Sequence, residues 1–136
     1  MRRRAASPAA TSRALAARAP LPVTVTHGLA ERLPPAVESV AYFVVMEALT
    51  NVAKYASATA AEVTVEQVDG HVVVGIRDDG VGGADPAAGS GLAGLSDRVV
   101  ALGGKLVVES PLGGGTRVVA ELPTRGRVTV KGDVFS

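Results

Sequence analysis

The spacing of apolar positions predicts one long amphipathic helix in the first half of the chain. Proline is tolerated in a first helical turn, so Leu33-Pro34-Pro35 can open it. We expect the helix to run to about Ala56, with one buried stripe at helical spacing. The residues of that stripe are Val37, Ala41, Val44, Ala48 and Val52.

Alternating apolar positions predict five strands around this helix. They cover residues 21–26, 62–68, 72–77, 105–109 and 116–122. Prolines precede the first strand, which favours a sheet edge. Asp69-Gly70 joins the second strand to the third, and such a pair between two β-rich runs is a strong hairpin signal. A second helix should open at Gly91 and end at Gly103-Gly104.

This order of elements predicts an α+β fold in two layers, with helices covering one face of a sheet and the other face more exposed. The length of 136 residues suits one domain with a single core. We expect residues 1–20 to be a flexible linker or the remnant of an inter-domain helix. Residues 21–123 should form the domain. Residues 124–136 would be a tail that adds an edge strand or hangs free.

Composition excludes several classes of function. The net charge of +1 gives no electrostatic case for nucleic acid. No apolar run approaches the roughly 18 residues of a membrane span, so we expect no membrane contact by this chain. Cysteine is absent, which excludes thiolate chemistry. Only two histidines occur, and we expect His27 in a loop and His71 at an exposed turn.

The end of the long helix carries polar residues where a core helix would have none. Glu47 and Asn51 are four residues apart, at the edge of the apolar stripe, and Lys54 and Tyr55 follow one turn later. A bare polar group at a buried margin costs about 1–3 kcal/mol, so these side chains must be hydrogen-bonded or bind a ligand. We interpret this stretch as one wall of a site.

Two glycine-rich segments offer the other walls. Asp78 ends a strand, and Gly80 and Gly82 follow it, where positive φ and close backbone approach are possible. Gly89-Ser90-Gly91 precedes a helix whose free N–H groups favour an anion. An amide oxygen for a metal, a cation, an anion cradle and a carboxylate for an amino group together indicate a site for a magnesium-bound nucleotide.

Each segment alone has an ordinary alternative. Asp-Asp-Gly followed by glycines is more often a turn, and Gly91-Leu92-Ala93-Gly94 more often marks close helix packing. A calcium loop would need a downstream glutamate. Walker and Rossmann glycine patterns are absent from the sequence, so a nucleotide would bind by another scheme.

Together and in order, four boxes resemble the ATP-binding domain of bacterial sensor histidine kinases, within the GHKL superfamily that includes the gyrase and MutL ATPases. The boxes are residues 47–56, Asp78 to Gly82, Gly89 to Leu95, and Gly114-Gly115-Thr116. The run Ser96 to Val99 and the short loop before it resemble the subclass paired with NarL-type response regulators. The resemblance implies a Bergerat-type sandwich with a mixed, mostly antiparallel sheet.

The resemblance also implies the roles of residues at the phosphate end. Asn51 would coordinate Mg²⁺, and Lys54 would neutralise phosphate charge. The segment Gly89, Gly91, Leu92 and Gly94 would hold the phosphates beneath a mobile lid. Glu47 would belong to the catalytic group with Asn51 and Lys54, orienting the metal shell.

At the base end, the resemblance makes Asp78 the acceptor of the adenine amino group, with Thr116 assisting. Gly80 and Gly82 would let the base lie against the loop. Tyr55 stands where the family commonly has histidine, and it keeps a ring with a polar tip.

A histidine kinase transfers the γ-phosphate of ATP to a histidine on a dimerisation domain, which then supplies a response regulator. Neither His27 nor His71 is expected on a helix beside an acid, so this chain should be inactive alone. Two alternatives stay open: a stand-alone anti-sigma-type serine kinase and a non-catalytic nucleotide-binding module. We expect a cytoplasmic location, with a parent protein that could be anchored in a membrane.

Overall fold

The computed structural model describes residues 8–28, 33–83 and 91–124 of the chain. Its helices are α1 (Pro8–Arg18), α2 (Pro35–Asn51) and α3 (Leu92–Ala101). Its strands are β1 (Val23–Gly28), β2 (Ala61–Val68), β3 (His71–Asp78), β4 (Lys105–Glu109) and β5 (Arg117–Pro123). Helix α2 continues directly into one π-helical turn, Val52–Ala56.

The five strands form one mixed sheet in the order β1-β2-β3-β5-β4. Strand β1 lies at an edge, as predicted, and pairs with β2 in parallel, while the other three pairings are antiparallel. The β2–β3 hairpin turns at Asp69 and Gly70, whose φ values of 43° and 79° suit the two-residue turn that its sequence predicts. The α+β fold class is confirmed.

The core lies between the sheet and the helices. All five residues of the predicted α2 stripe are buried, and Val45 and Leu49 join them. Alternate residues of β3 face them, with Val72, Val74 and Ile76 buried. Burying one such side chain stabilises the fold by about 1.5–3 kcal/mol. Helices α2 and α3 are held to the sheet mainly by this apolar burial.

The other face of the sheet carries no helix among the described residues and mixes charged and threonine side chains with valines such as Val73 and Val119. Arg77 pairs with Glu62 at 3.0 Å and Arg117 with Glu109 at 3.1 Å, all with exposed side chains. Exposed pairs of this kind contribute about 0–1 kcal/mol. This outer face has a shallow depression beside Gly75. None of the predicted site residues lines that depression.

Helix α1 lies against α2 and β1. Ser12 is buried, and Leu15 packs against the core cluster. Residues 8–18 therefore form a helix that packs on α2 and on the sheet. The sequence is compatible with either a flexible linker or the remnant of a helix at this place. The predicted tail, residues 125–136, lies outside the described residues.

Two details differ from the predictions. His27 lies within β1 rather than in a loop after it, because the strand continues to Gly28, although the side chain is exposed as expected. The segment Pro35–Lys54 is long and apolar enough to cross a membrane by length and composition, contrary to our expectation that no run approaches that length. In this fold, α2 packs its apolar face on the sheet and α3, which accounts for its apolar composition.

Candidate nucleotide-binding site

The C-terminal end of α2 departs from regular α-helix where the predicted site begins. The hydroxyl of Thr50 donates to the carbonyl of Met46 at 2.8 Å, and the π-turn starts directly after Asn51. Such turns are rare and occur often at functional sites. A π-turn winds more widely than an α-helix, so the position of Lys54 on the same side as Asn51 stays a prediction.

Asn51 has the most informative side chain of this wall. Its Nδ2 atom is buried and has no hydrogen-bond partner in the described part of the chain. An unpaired buried amide costs about 1–3 kcal/mol unless a bound group completes it. Lys54 is exposed on the π-turn, so its ammonium can move towards a ligand. The side chain of Tyr55 and the whole of Gly89 lie outside the described residues.

Asp78 occupies the next inward position after the buried residues Val74 and Ile76 on β3. It is a carboxylate where the alternation calls for an apolar side chain, and only 7% of its surface is exposed. Its Oδ1 accepts a hydrogen bond from the amide of Gly80 at 2.8 Å. Its own amide donates to the carbonyl of Thr116 at 2.9 Å, which brings the second and fourth boxes together.

The loop after β3 interlocks with the loop between β4 and β5 through the backbone. A Cβ on Gly82, whose φ is 67°, would lie 1.9 Å from the carbonyl oxygen of Pro111. A Cβ on Gly115 would lie 2.2 Å from the carbonyl oxygen of Asp78. Gly82 thus has a structural reason to be glycine, in addition to the contact with a base that the resemblance implies.

Ser110 and Asp79 belong to the site although no motif in the sequence assigns them a role. The hydroxyls of Ser110 and Thr116 are hydrogen-bonded at 2.6 Å, which fixes Thr116 beside Asp78. Asp79 accepts hydrogen bonds from the amides of Thr59 at 2.8 Å and Ala60 at 3.1 Å, and from the Thr59 hydroxyl. The Asp-Asp doublet at a strand end was the only sequence signal for Asp79.

The start of α3 forms the remaining described wall. Gly91 has a φ of 87°, and the carboxylate of Glu47 lies against it, so the first and third boxes are in contact. The side chain of Leu92 is buried in the core, which leaves only its backbone available to a ligand. Among the described residues, a Cβ on Gly94 would meet nothing within 4 Å, so no described element packs closely against this glycine.

The donors fit a magnesium ion held mainly by phosphate. Within the described ranges, no cluster of three or more histidine, aspartate or glutamate side chains could hold a metal by itself. Mg²⁺ is commonly bound by one or two protein groups, water and substrate phosphates. Asn51 can supply an amide oxygen and the nearby Glu47 a carboxylate oxygen to such an ion, while the unpaired Nδ2 of Asn51 is a donor that suits a phosphate oxygen.

Comparison with known proteins gives matches over most of the domain. Residues 36–126 match the family profile of histidine kinase-, DNA gyrase B-, and HSP90-like ATPases. The chain is 35% identical over 102 residues to the oxygen sensor histidine kinase NreB of Staphylococcus carnosus (strain TM300), covering 72% of this chain and 29% of that protein. It is 33% identical over 99 residues to the sensor histidine kinase YxjM of Bacillus subtilis (strain 168), covering 72% and 24%. The matched chain thus spans about a quarter of the length of these relatives.

Solved structures share the fold. The ATP-binding domain of PrrB from Mycobacterium tuberculosis superposes with a TM-score of 0.69 at 21% identity, covering 89% of this chain and 96% of that one. The blue-light activated histidine kinase of Erythrobacter litoralis EL346 gives a TM-score of 0.66 at 23% identity, covering 85% and 40%. At these identities the likeness concerns the fold alone. The profile match covers more than half of the chain, and the chain therefore belongs to the family of histidine kinase-, DNA gyrase B- and HSP90-like ATPases.

Proposed function

We propose that this domain binds Mg-ATP and donates its γ-phosphate to a histidine on a separate dimerisation domain, within a two-component signalling system. The observation that carries the proposal is the buried Asp78 carboxylate, which is fixed by Gly80 and by the backbone of Thr116. A carboxylate in an inward core position needs a function, and an exocyclic amino group is a donor that it can accept.

The phosphate end supports the same proposal. Asn51, Lys54 and Glu47 lie within two turns of the C-terminal end of α2, and Glu47 reaches the start of α3. Bound Mg²⁺ would neutralise phosphate charge, with Asn51 holding it and Lys54 adding a second cation. Phosphoryl transfer depends mainly on positioning and charge neutralisation, which these residues can supply.

The relatives named as sensor histidine kinases favour this function over the anti-sigma-type serine kinase and the degenerate binding module. We propose the phospho-acceptor domain as the direct partner, a NarL-type response regulator as the indirect one, and the cytoplasm, where ATP is available, as the location. The roles of Tyr55 and Gly89 remain predictions from the resemblance.

Nucleotide binding is the first test. Asp78→Asn keeps an acceptor for the Gly80 amide but loses the charge, so we expect its Kd for Mg-ATP in calorimetry to rise about tenfold or more. Asp97→Asn, at an exposed position of α3, is the matched control and should bind like the wild type. Unchanged affinity in Asp78→Asn would remove Asp78 from the site.

Phosphoryl transfer is the second step of that test. The protein is mixed with labelled Mg-ATP and the helical dimerisation domain encoded by its parent or a neighbouring gene. Acid-labile phosphate on a histidine of that domain is the expected product. Phosphoserine on a partner protein would instead identify the serine kinase, and the absence of nucleotide binding at millimolar ATP would identify the degenerate module.

A further inference from the structure

Glu47 places a negative charge directly at the N-terminal end of helix α3. A Cβ on Gly91 would lie 2.1 Å from the Oε2 atom of Glu47 and 2.7 Å from its Cδ atom. Gly91 is the N-cap residue of α3, with a φ of 87°. As a glycine it has no side chain that could cap the free N–H groups of the helix. The carboxylate from α2 therefore occupies the space that a capping side chain would take.

This contact matters because the same helix end is the proposed phosphate cradle. The N-terminal end of a helix carries a partial positive charge and free N–H groups, which attract a carboxylate as well as a phosphate. Two anions brought to this end repel each other unless a cation separates them. Lys54 is the nearby cation of the predicted site, but it is exposed on the π-turn rather than fixed between the two.

We propose that Glu47 makes the site selective for metal-bound over metal-free nucleotide. The inference rests on the proposed function and adds a determinant of specificity to it. A metal-free triphosphate meets the Glu47 carboxylate with its full negative charge, whereas Mg²⁺ cancels two of those charges and can itself be attracted by Glu47. The carboxylate thus penalises one form of the nucleotide and favours the other.

The test compares Kd values for ATP in excess magnesium and in EDTA, by calorimetry, on the whole chain. In Glu47→Gln, which keeps the shape and loses the charge, we expect the ratio of the metal-free to the magnesium Kd to fall about tenfold relative to the wild type. Glu121→Gln removes the same charge from an exposed position on β5 and should keep the wild-type ratio.

Glu47→Asp separates charge from packing. Its shorter side chain withdraws from Gly91 but keeps the carboxylate, so its ratio should stay within about threefold of the wild type. An unchanged ratio in Glu47→Gln would overturn the inference, and so would a fall in Glu47→Asp as large as that in Glu47→Gln. If the wild type fails to bind Mg-ATP at all, the proposed function itself is wrong.

Discussion

Asp79 connects the loop of the candidate site to a neighbouring segment, although the sequence assigns it no contact with a ligand. Its carboxylate joins the loop after β3 to Thr59 and Ala60, which lie between the π-turn and β2. The hydrogen bond from the Thr59 hydroxyl, followed by those from the Ala60 and Thr59 amides, lowers the pKa of Asp79 below its ordinary value of 3.8. This connection anchors the loop directly after Asp78.

The lowered pKa of Asp79 predicts a pH-dependent difference in stability. A carboxyl group with a lower pKa in the folded state stabilises the fold above its unfolded-state pKa, and this contribution is lost as the pH falls through the folded-state pKa. In urea unfolding at neutral pH, we expect Asp79→Asn to have a lower free energy of unfolding than the wild type. The gap between the two free energies should shrink as the pH falls below 3.8, the ordinary pKa of the group.

Thr59→Val is the companion variant for this prediction, because it removes the largest cause of the shift and leaves the carboxylate in place. Thr59→Val should show a smaller decrease in the free energy of unfolding than Asp79→Asn, with the same dependence on pH. If the free energies of unfolding of the wild type and Asp79→Asn differed by the same amount across the acid range, the lowered pKa of Asp79 would be contradicted.

At the scale of elements, the loop after β3 and the β4–β5 loop act as one unit joined by main-chain contacts. The amide of Gly83 donates to the carbonyl of Ser110 at 2.8 Å, and that of Gly113 donates to Val81 at 2.6 Å. With Gly82 and Gly115 in backbone contact, no methyl group fits at either position. Thr116 therefore keeps a fixed place relative to Asp78.

Gly115→Ala tests this unit. The new Cβ would meet the Asp78 carbonyl at a backbone φ of 76°, so we expect a loss of about 1–3 kcal/mol in the free energy of unfolding and weaker ATP binding. Gly113→Ala has a similar φ of 78°, but no atom of the described residues lies within 4 Å of its Cβ. This control should lose about 1 kcal/mol and keep its ATP affinity. If the two variants lost the same free energy of unfolding and the same ATP affinity, the backbone contact between Gly115 and Asp78 would have no special role.

The regular elements were predictable because apolar periodicity directly reports which face is buried. The α2 stripe, the β2–β3 turn and the edge position of β1 follow from local sequence alone. The π-turn after Asn51 and the contact of Glu47 with Gly91 did not follow, since both depend on how separate elements meet. The resemblance named the site residues, whereas Ser110 and the hydrogen bonds of Asp79 required the tertiary structure.

At the scale of the whole molecule, the described helices α1, α2 and α3 cover one face of the sheet, and the other face carries charged side chains and valines. The candidate site lies at one end of the covered layer, where α2, α3 and β3 each contribute a residue. Helix α1 extends the same layer over β1. The helix and strand residues of the site are thus backed by the core, while Gly82, Gly115 and Thr116 belong to the loops beside it.

The contribution of α1 can be measured. Leu15 is partly buried against the core, so we expect Leu15→Ala to lower the free energy of unfolding by about 1–2 kcal/mol in urea, somewhat less than a fully buried leucine would. Arg13→Ala, on an exposed position of the same helix, should have little effect. Equal stability of the two variants would show that α1 is not part of the cooperative unit.

The hydrogen bond from Gly80 to Asp78 also affects how the protein ages in storage. An Asp-Gly bond isomerises when the glycine amide nitrogen attacks the carboxyl carbon of the aspartate before it. At Asp79-Gly80 this nitrogen is held by Asp78, and the carboxylate is held by Thr59 and Ala60. Slow covalent damage should therefore collect at the exposed Asp69-Gly70 hairpin tip, while the end of the sheet that we assign to the nucleotide stays chemically intact.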